Sequence, residues 1–139
     1  MDGTPTGVSC MGNWLTRLIG NRGERAAARF LRHEGMKILA RQQSSRFGEI
    51  DLVARDGETI VFVEVKTRSS LRGGQPEDAV TRTKQERLTR TALVWLKQRG
   101  LLELSSRFDV IAVYWPEQSR QPELTHYRNA FEPAGPHQY

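Results

Sequence analysis

The order of patterns along this chain predicts an α/β fold, a mixed β-sheet with helices packed on it. Three observations carry that expectation. A helical stripe near residue 22 precedes a double run of β-rich residues, a second helical stripe follows, and two further β-rich segments come after it. The chain has 139 residues, 37% hydrophobic and 27% charged. That is the size and apolar fraction of one ordinary domain, too short for a second independent core and too apolar for wholesale disorder.

Residues 1–19 are rich in Gly, Thr and Ser and read as a flexible leader, in which Trp14, Leu15, Leu18 and Ile19 make one short amphipathic turn. The domain spans 20–131, and 132–139 read as a disordered tail. A helix is predicted over about 22–35, where Ala26, Ala27, Ala28, Phe30 and Leu31 recur at helical spacing and Gly35 is the stop. A short extended piece follows at 37–41. The strongest pattern is 48–67, two β-rich runs flanking Asp56-Gly57, which signals a hairpin with a type I′ turn. After a loop at 70–75, Pro76 suits the first turn of a helix running to Arg99, with Leu88, Ala92, Trp95 and Leu96 on one face and Gly100 at its end. Strands at 108–115 and 123–127 complete the order.

Charge and motifs narrow the function classes. Twenty-one basic residues against sixteen acidic ones give +5, with a pI near 9.9, and seventeen of the basic residues are Arg, whose planar fork matches phosphate. An anionic partner and an Arg-rich genome explain this about equally well. One cysteine, Cys10, excludes an internal disulfide framework and a Cys-rich zinc site and fits a reducing cytosol. Apolar runs are too short for a membrane span, and residues 11–20 are too interrupted for a signal peptide, so the expected location is cytoplasmic, with no membrane partner. Phosphate-loop, His-Glu-x-x-His and Gly-x-Ser-x-Gly patterns are missing, and His33, His126 and His137 are scattered fillers.

The hairpin carries the chemistry. With Asp56-Gly57 as the turn, Val53 pairs with Ile60, Asp51 with Phe62 and Glu49 with Glu64. One face then holds Ile50, Leu52, Ala54, Val61, Val63 and Val65. The other holds Val53, Ile60 and Phe62 near the turn, and Glu49, Asp51, Glu64 and Lys66 at the far end. Like charges opposed on paired strands are destabilising, and a divalent cation removes the objection, since carboxylate oxygens suit Mg²⁺ or Mn²⁺. A solvated outer face with Glu and Lys is the competing reading. Glu24 lines up with Ala27, Ala28 and Leu31 beside the buried stripe, although a first-turn Glu also complements a helix dipole. Residues 68–99 hold eight basic residues against three acidic ones, leaving the remainder of the chain neutral. This excess directly follows the Glu64-Val65-Lys66 strand, where a phosphate backbone has to lie.

Taken together, Gly23-Glu24-Arg25-Ala26-Ala27, Gly48-Glu49-Ile50-Asp51-Leu52-Val53, Phe62-Val63-Glu64-Val65-Lys66-Thr67-Arg68 and Arg107-Phe108-Asp109-Val110 resemble the uncharacterised bacterial YraN-like family. That family is similar to archaeal Holliday-junction resolvases and to restriction-endonuclease-like nucleases with the PD-(D/E)xK motif. The resemblance covers about residues 20–131. It implies a restriction-endonuclease-like α/β core, a mixed central sheet flanked by helices. Asp51, Glu64 and Lys66 match the motif's Asp, Glu and Lys, and Glu24 matches the helix-borne acid. Gln85, with Lys84, matches a polar position on the following helix more loosely. Ile50 replaces the motif's proline, and Gln42 and Gln43 stand where the family usually shows Asn.

The resemblance implies a Mg²⁺- or Mn²⁺-dependent nuclease acting on phosphodiester bonds, preferably in DNA. Asp51 and Glu64, with the Val65 carbonyl, hold the ion, Glu49 shares it, and Glu24 binds a coordinated water or a second ion. Lys66 orients the attacking water or stabilises the phosphorane. Arg68, Arg72, Arg82, Lys84, Gln85, Arg87 and Arg90 contact the nucleic acid, and cleavage of a DNA junction calls for a two-fold dimer. Two alternatives stay open: a catalytically silent nucleic-acid-binding module, and a scaffold or regulatory protein without nucleic acid.

Overall fold

The computed structural model describes residues 21–69 and 80–134. The leader, the 70–75 loop with Arg72, and Pro76 lie outside the described residues. Helix α1 is described over residues 21–33. Gly35 ends it in the left-handed region (φ +94°), where the Met36 N–H reaches back to the Leu31 carbonyl and the Gly35 N–H to that of Arg32, both at 3.0 Å. Strands β1 (Lys37–Ser45), β2 (Gly48–Asp56) and β3 (Thr59–Arg68), helix α2 (Arg82–Gln98), and strands β4 (Ser106–Tyr114) and β5 (Glu123–Phe131) follow. The five strands lie side by side in chain order. Only β3 and β4 run parallel, and α2 is the crossover that joins them.

Each face of the sheet has its own core. Ala27, Ala28 and Leu31 of α1 pack on Leu52, Ala54, Val61, Val63, Ile111 and Val113. Leu88, Ala92, Trp95 and Leu96 of α2 pack on Val53, Ile60, Phe62, Phe108 and Val110. This is the restriction-endonuclease-like α/β arrangement, one mixed sheet between two helical layers. Gly23 lets α1 press on β3: a Cβ there would lie 1.9 Å from Thr67 Oγ1. At the hairpin end, buried Asp109 accepts hydrogen bonds from Arg107 Nε (3.0 Å) and the Asn129 N–H (2.9 Å), and its other oxygen lies 2.7 Å from His126 Nε2. Arg107 also reaches Asp56 at 3.0 Å. His126 is thus a half-buried structural partner.

Several expectations are corrected. β1 and β5 each run four residues further than their sequence patterns, to Ser45 and Phe131. Both are edge strands whose backbone pairs along the whole neighbour although their outer residues are polar. Helix α2 begins at Arg82, because Thr81 is an extended N-cap whose hydroxyl accepts the Lys84 N–H, so no continuous helix runs from Pro76. Of the segment read as a tail, Ala134 is buried and its N–H donates to Thr89 Oγ1 at 3.0 Å, while residues 135–139 lie outside the described residues.

The hairpin turn also moves. Asp56 pairs with Thr59 and Val53 with Phe62, so Gly57-Glu58 is the two-residue turn. Gly57 has φ +62° while Glu58 stays at negative φ, the type II′ pattern with Gly in first place. A slip of two leaves the apolar side chains from Leu52 to Val65 on their expected faces, but not Ile50. Ile50 packs with Val53 on the α2 side, not with Leu52 and Ala54. Opposite the intervening Asp51, between the pairs Arg41↔Leu52 and Gln43↔Ile50, β1 carries Gln42 at φ +49°. This left-handed residue breaks the alternation of both strands.

Candidate metal centre

Strands β2 and β3 pair from the turn as far as Leu52↔Val63 and then part. Where the ladder stops, the Asp51 carboxylate accepts the Val65 N–H at 2.8 Å, a side chain standing in for the lost backbone partner. Glu64 is only 6% exposed, and the Asp51 carboxyl hydrogen-bonds to it. Burial, then the Glu64 charge, push the Asp51 pKa up to about 8, against the pull of the Val65 N–H. Lys66 Nζ lies 3.2 Å from Glu64 Oε2, and Lys84 Nζ pairs with the same oxygen from the first turn of α2. Burial, followed by the neighbouring Lys84, holds Lys66 below the usual lysine range. For Lys84 burial acts in the same direction, but its bonds to Glu64 and Lys66 and the Glu64 and Asp51 charges outweigh it, and its pKa is raised.

Glu24 approaches from α1. Burial raises its pKa, the Gln42 hydrogen bond opposes the rise, and the charges of Glu49 and Glu64 add to it. Gln42 Nε2 donates to Glu24 at 3.2 Å and to Asn21 at 2.9 Å. The break in alternation at Gln42 therefore ties α1 to the strand opposite Asp51. Gln43 faces the other way, its amide oxygen accepting from Trp95 Nε1 (3.2 Å) and Arg99 Nη2 (3.3 Å). A left-handed backbone suits Asn better than Gln. Gln42→Asn is expected to stabilise the fold by about 0.5–1 kcal/mol, read as a higher Tm. A lower Tm would mean that the lost reach to Glu24 and Asn21 outweighs the backbone relief.

A cleft of about 480 Å³ opens over the pair, lined by Glu49, Asp51, Glu64, Thr81, Lys84 and Arg87 among others. Among the described residues, no three His, Cys, Asp or Glu side chains are gathered closely enough to hold a metal between them. Glu24 acts on Asp51 through its charge, and Glu49 lines the cleft and acts on Glu24 in the same way. Mg²⁺ keeps several waters and is commonly held by one or two carboxylates plus substrate phosphate. Asp51 and Glu64 fit that requirement: the half-buried Asp51 and the buried Glu64 sit at one cleft, and Glu64 alone draws two lysines.

The basic residues divide. Lys84 and Arg87 line the cleft. Arg82 and Arg90 are exposed on α2, Arg82 lying 3.6 Å from Glu86 and Arg90 lying 5.5 Å from the centre of the Phe47 ring. Gln85 is turned away from the carboxylates, donating to the Val80 carbonyl at 2.9 Å. Arg68 lines a different cleft, beside Glu24 and Trp115. Sequence reasoning missed Lys84 as a partner of Glu64 and Gln42 as a partner of Glu24. Lys84 carried a signal in its place at the start of a helix following the Glu64 strand. Gln42 carried none beyond its standing where Asn is usual. No described helix is long and apolar enough to cross a membrane.

Comparison with known proteins agrees with the motifs. The model of the uncharacterised protein family UPF0102 matches residues 23–113. A UPF0102 protein of Rhodopirellula baltica is 48% identical over 120 residues, 84% of this chain and 72% of its own length. One from Geobacter metallireducens is 47% identical over 114 residues, covering 82% of this chain and 92% of the relative. Another, from Nocardia farcinica, is 47% identical over 113 residues, covering 81% and 88%. With the family match spanning Glu24, Asp51, Glu64 and Lys66, the chain belongs to the YraN-like family UPF0102.

Proposed function

We propose that this protein is a metal-dependent nuclease acting on phosphodiester bonds, with DNA as its preferred nucleic acid. The observation that carries the reading is the contact of two acids, Asp51 and Glu64, with Lys66 Nζ 3.2 Å from Glu64. Opposed carboxylates with a lysine beside them weaken a fold and serve a reaction in which a cation meets a phosphate. Asp51 and Glu64 would hold Mg²⁺ or Mn²⁺, which when bound polarises the scissile phosphate and lowers the pKa of an attacking water. Asp51 is aimed by the Val65 N–H. Lys66 would supply a positive charge beside the developing phosphorane or orient the attacking water. Lys84 and the first turn of α2, which holds no acidic residue, add positive potential at the cleft.

The test is a panel of labelled DNA and RNA, as single strands, flaps and four-way junctions, with Mg²⁺, Mn²⁺ or EDTA. Cleavage is expected with either ion and none in EDTA. Paired symmetric nicks in a junction would additionally require a two-fold dimer. A second reading, a silent nucleic-acid-binding module, draws on the two lysines that already neutralise Glu64. Binding without cleavage across the whole panel would favour it.

Metal binding has its own readout. Mg²⁺ or Mn²⁺ is expected to raise the Tm of the wild type but not of Asp51→Asn or Glu64→Gln. The Asp51 pKa of about 8 exceeds its ordinary 3.8, so without metal its contribution to stability is complete below pH 3.8 and is lost as pH rises past about 8. Ion binding needs the proton gone, so the Tm shift should grow from pH 6 to pH 9. Equal shifts in wild type and both variants would place the ion elsewhere.

A further inference from the structure

We propose that Trp115 is a stacking platform for an unpaired nucleobase next to the Asp51–Glu64 pair, which makes DNA carrying unpaired nucleotides the preferred substrate class. The inference rests on the nuclease reading and adds the part of the substrate that is recognised. A second cleft, about 550 Å³, lies on the α1 side of β3, lined by Arg22, Glu24, Val65, Thr67, Trp115 and Ser119 among others. It abuts the carboxylate pair through two residues. Val65 gives its N–H to Asp51, and Glu24 lies close enough for Asp51 to feel its charge.

The Trp115 ring is fixed at both ends. Its backbone N–H donates to the Arg68 carbonyl at 2.8 Å, extending the β3–β4 pairing. Its indole Nε1 donates to the Ser119 carbonyl at 3.0 Å across a turn that the Ser119 N–H closes on Pro116 at 3.1 Å. The indole's donor is thus already used, and what the ring offers a ligand is its π face. The exposed Arg22 side chain covers that face, its guanidinium carbon 4.0 Å from the ring centre. A guanidinium and a nucleobase are flat groups that stack on indole in the same way. Arg22 therefore keeps the surface covered without DNA, and a base takes its place while the freed guanidinium turns to the phosphate. A cleft of this volume is of ligand size. Bases inside a duplex cannot present a face, so the platform selects frayed, flapped or single-stranded nucleotides.

The test measures binding in EDTA, where no cleavage intervenes, of two labelled probes, a blunt duplex and the same duplex with a ten-thymidine tail. Wild type should bind the tailed probe about tenfold tighter, with indole fluorescence quenched on binding. Trp115→Leu should bring the tailed probe to blunt-duplex affinity and remove the quench, whereas Trp115→Phe, which keeps a ring, should retain part of the preference. Thermal denaturation of both variants and of Arg22→Ala monitors the fold. Equal wild-type affinity for the two probes, or a preference that survives in folded Trp115→Leu, would reduce the Arg22–Trp115 contact to a clasp and overturn the proposal. Binding of neither probe would instead fell the nuclease reading, and this inference with it.

Discussion

On the proposed nuclease reading, Lys66→Ala is expected to lower cleavage by about a hundredfold or more, the usual cost of removing one preorganised charge from a reacting centre, while DNA affinity changes only modestly. The structure makes the variant a clean test. Lys84 pairs with the same Glu64 oxygen from another element, so the carboxylate keeps a cationic neighbour when Lys66 is gone. Loss of rate thus reports chemistry and not collapse of the site. On the same reading, DNA affinity comes from elsewhere. Reversing the charge at Arg82, Arg87 and Arg90 should weaken binding and flatten its salt dependence by about 0.9 in slope for each lost phosphate contact on duplex DNA. Steady cleavage by Lys66→Ala would remove this lysine from the mechanism. An unchanged salt slope in the charge-reversed protein would remove α2 from the interface.

Asp109→Asn destabilises the fold by roughly 3 kcal/mol, a fall of about 10 °C in Tm. Asp109 is 0% exposed, and it sits where the β4–β5 register shifts between Phe108 and Val110. Its two oxygens collect Arg107, His126 and the Asn129 N–H, and Asn129 takes the left-handed φ of +50° that the irregular pairing demands. An amide cannot accept on both sides, so the variant loses partners and leaves the Arg107 charge half-answered in a partly buried place. Burial alone would raise the Asp109 pKa. His126, the Asn129 N–H and Arg107 outweigh it and hold the pKa below the ordinary 3.8. A carboxylate depressed in this way adds stability that is complete above pH 3.8 and is lost as pH falls through the folded value. The gap between wild type and Asp109→Asn should therefore narrow in acid below that point. Asp56→Asn, whose carboxylate is about a third exposed, should cost under about 1 kcal/mol. Equal losses from the two variants would put the weight of the network on Arg107 itself.

What was legible in the sequence follows from what survives error. Strand faces repeat every two residues, so misplacing the turn by one position moved the register by two and left Val53, Ile60 and Phe62 facing α2 as expected. The convergence of Asp51 and Glu64 was legible for the same reason, with the difference that the slip turns Asp51 from a diagonal neighbour of Glu64 into its contact. Glu24 was ambiguous because a first-turn acid satisfies a helix dipole as well as a site, and only the Gln42 bridge and the charges of Glu49 and Glu64 distinguish the two. Ile50 could not have been placed, since a single left-handed residue on the neighbouring strand decides its face. Lys84 was legible only in part: its place on the helix after the Glu64 strand shows in the sequence, but its reach to Glu64 depends on where α2 starts, and Thr81 sets that start through its own hydroxyl.

The Gly57-Glu58 turn has a reach beyond its own four residues. Faces repeat every two positions, so the hairpin has two alignments that bury the same side chains, one closed by Asp56↔Thr59 and one shifted by two. Hydrophobic burial hardly distinguishes them, but in the shifted alignment Asp51 stands opposite Phe62 and only diagonal to Glu64, and their direct contact is lost. The left-handed glycine at the far end of the ribbon therefore acts as a ruler for the acid pair, setting the distance between two carboxylates that it does not touch.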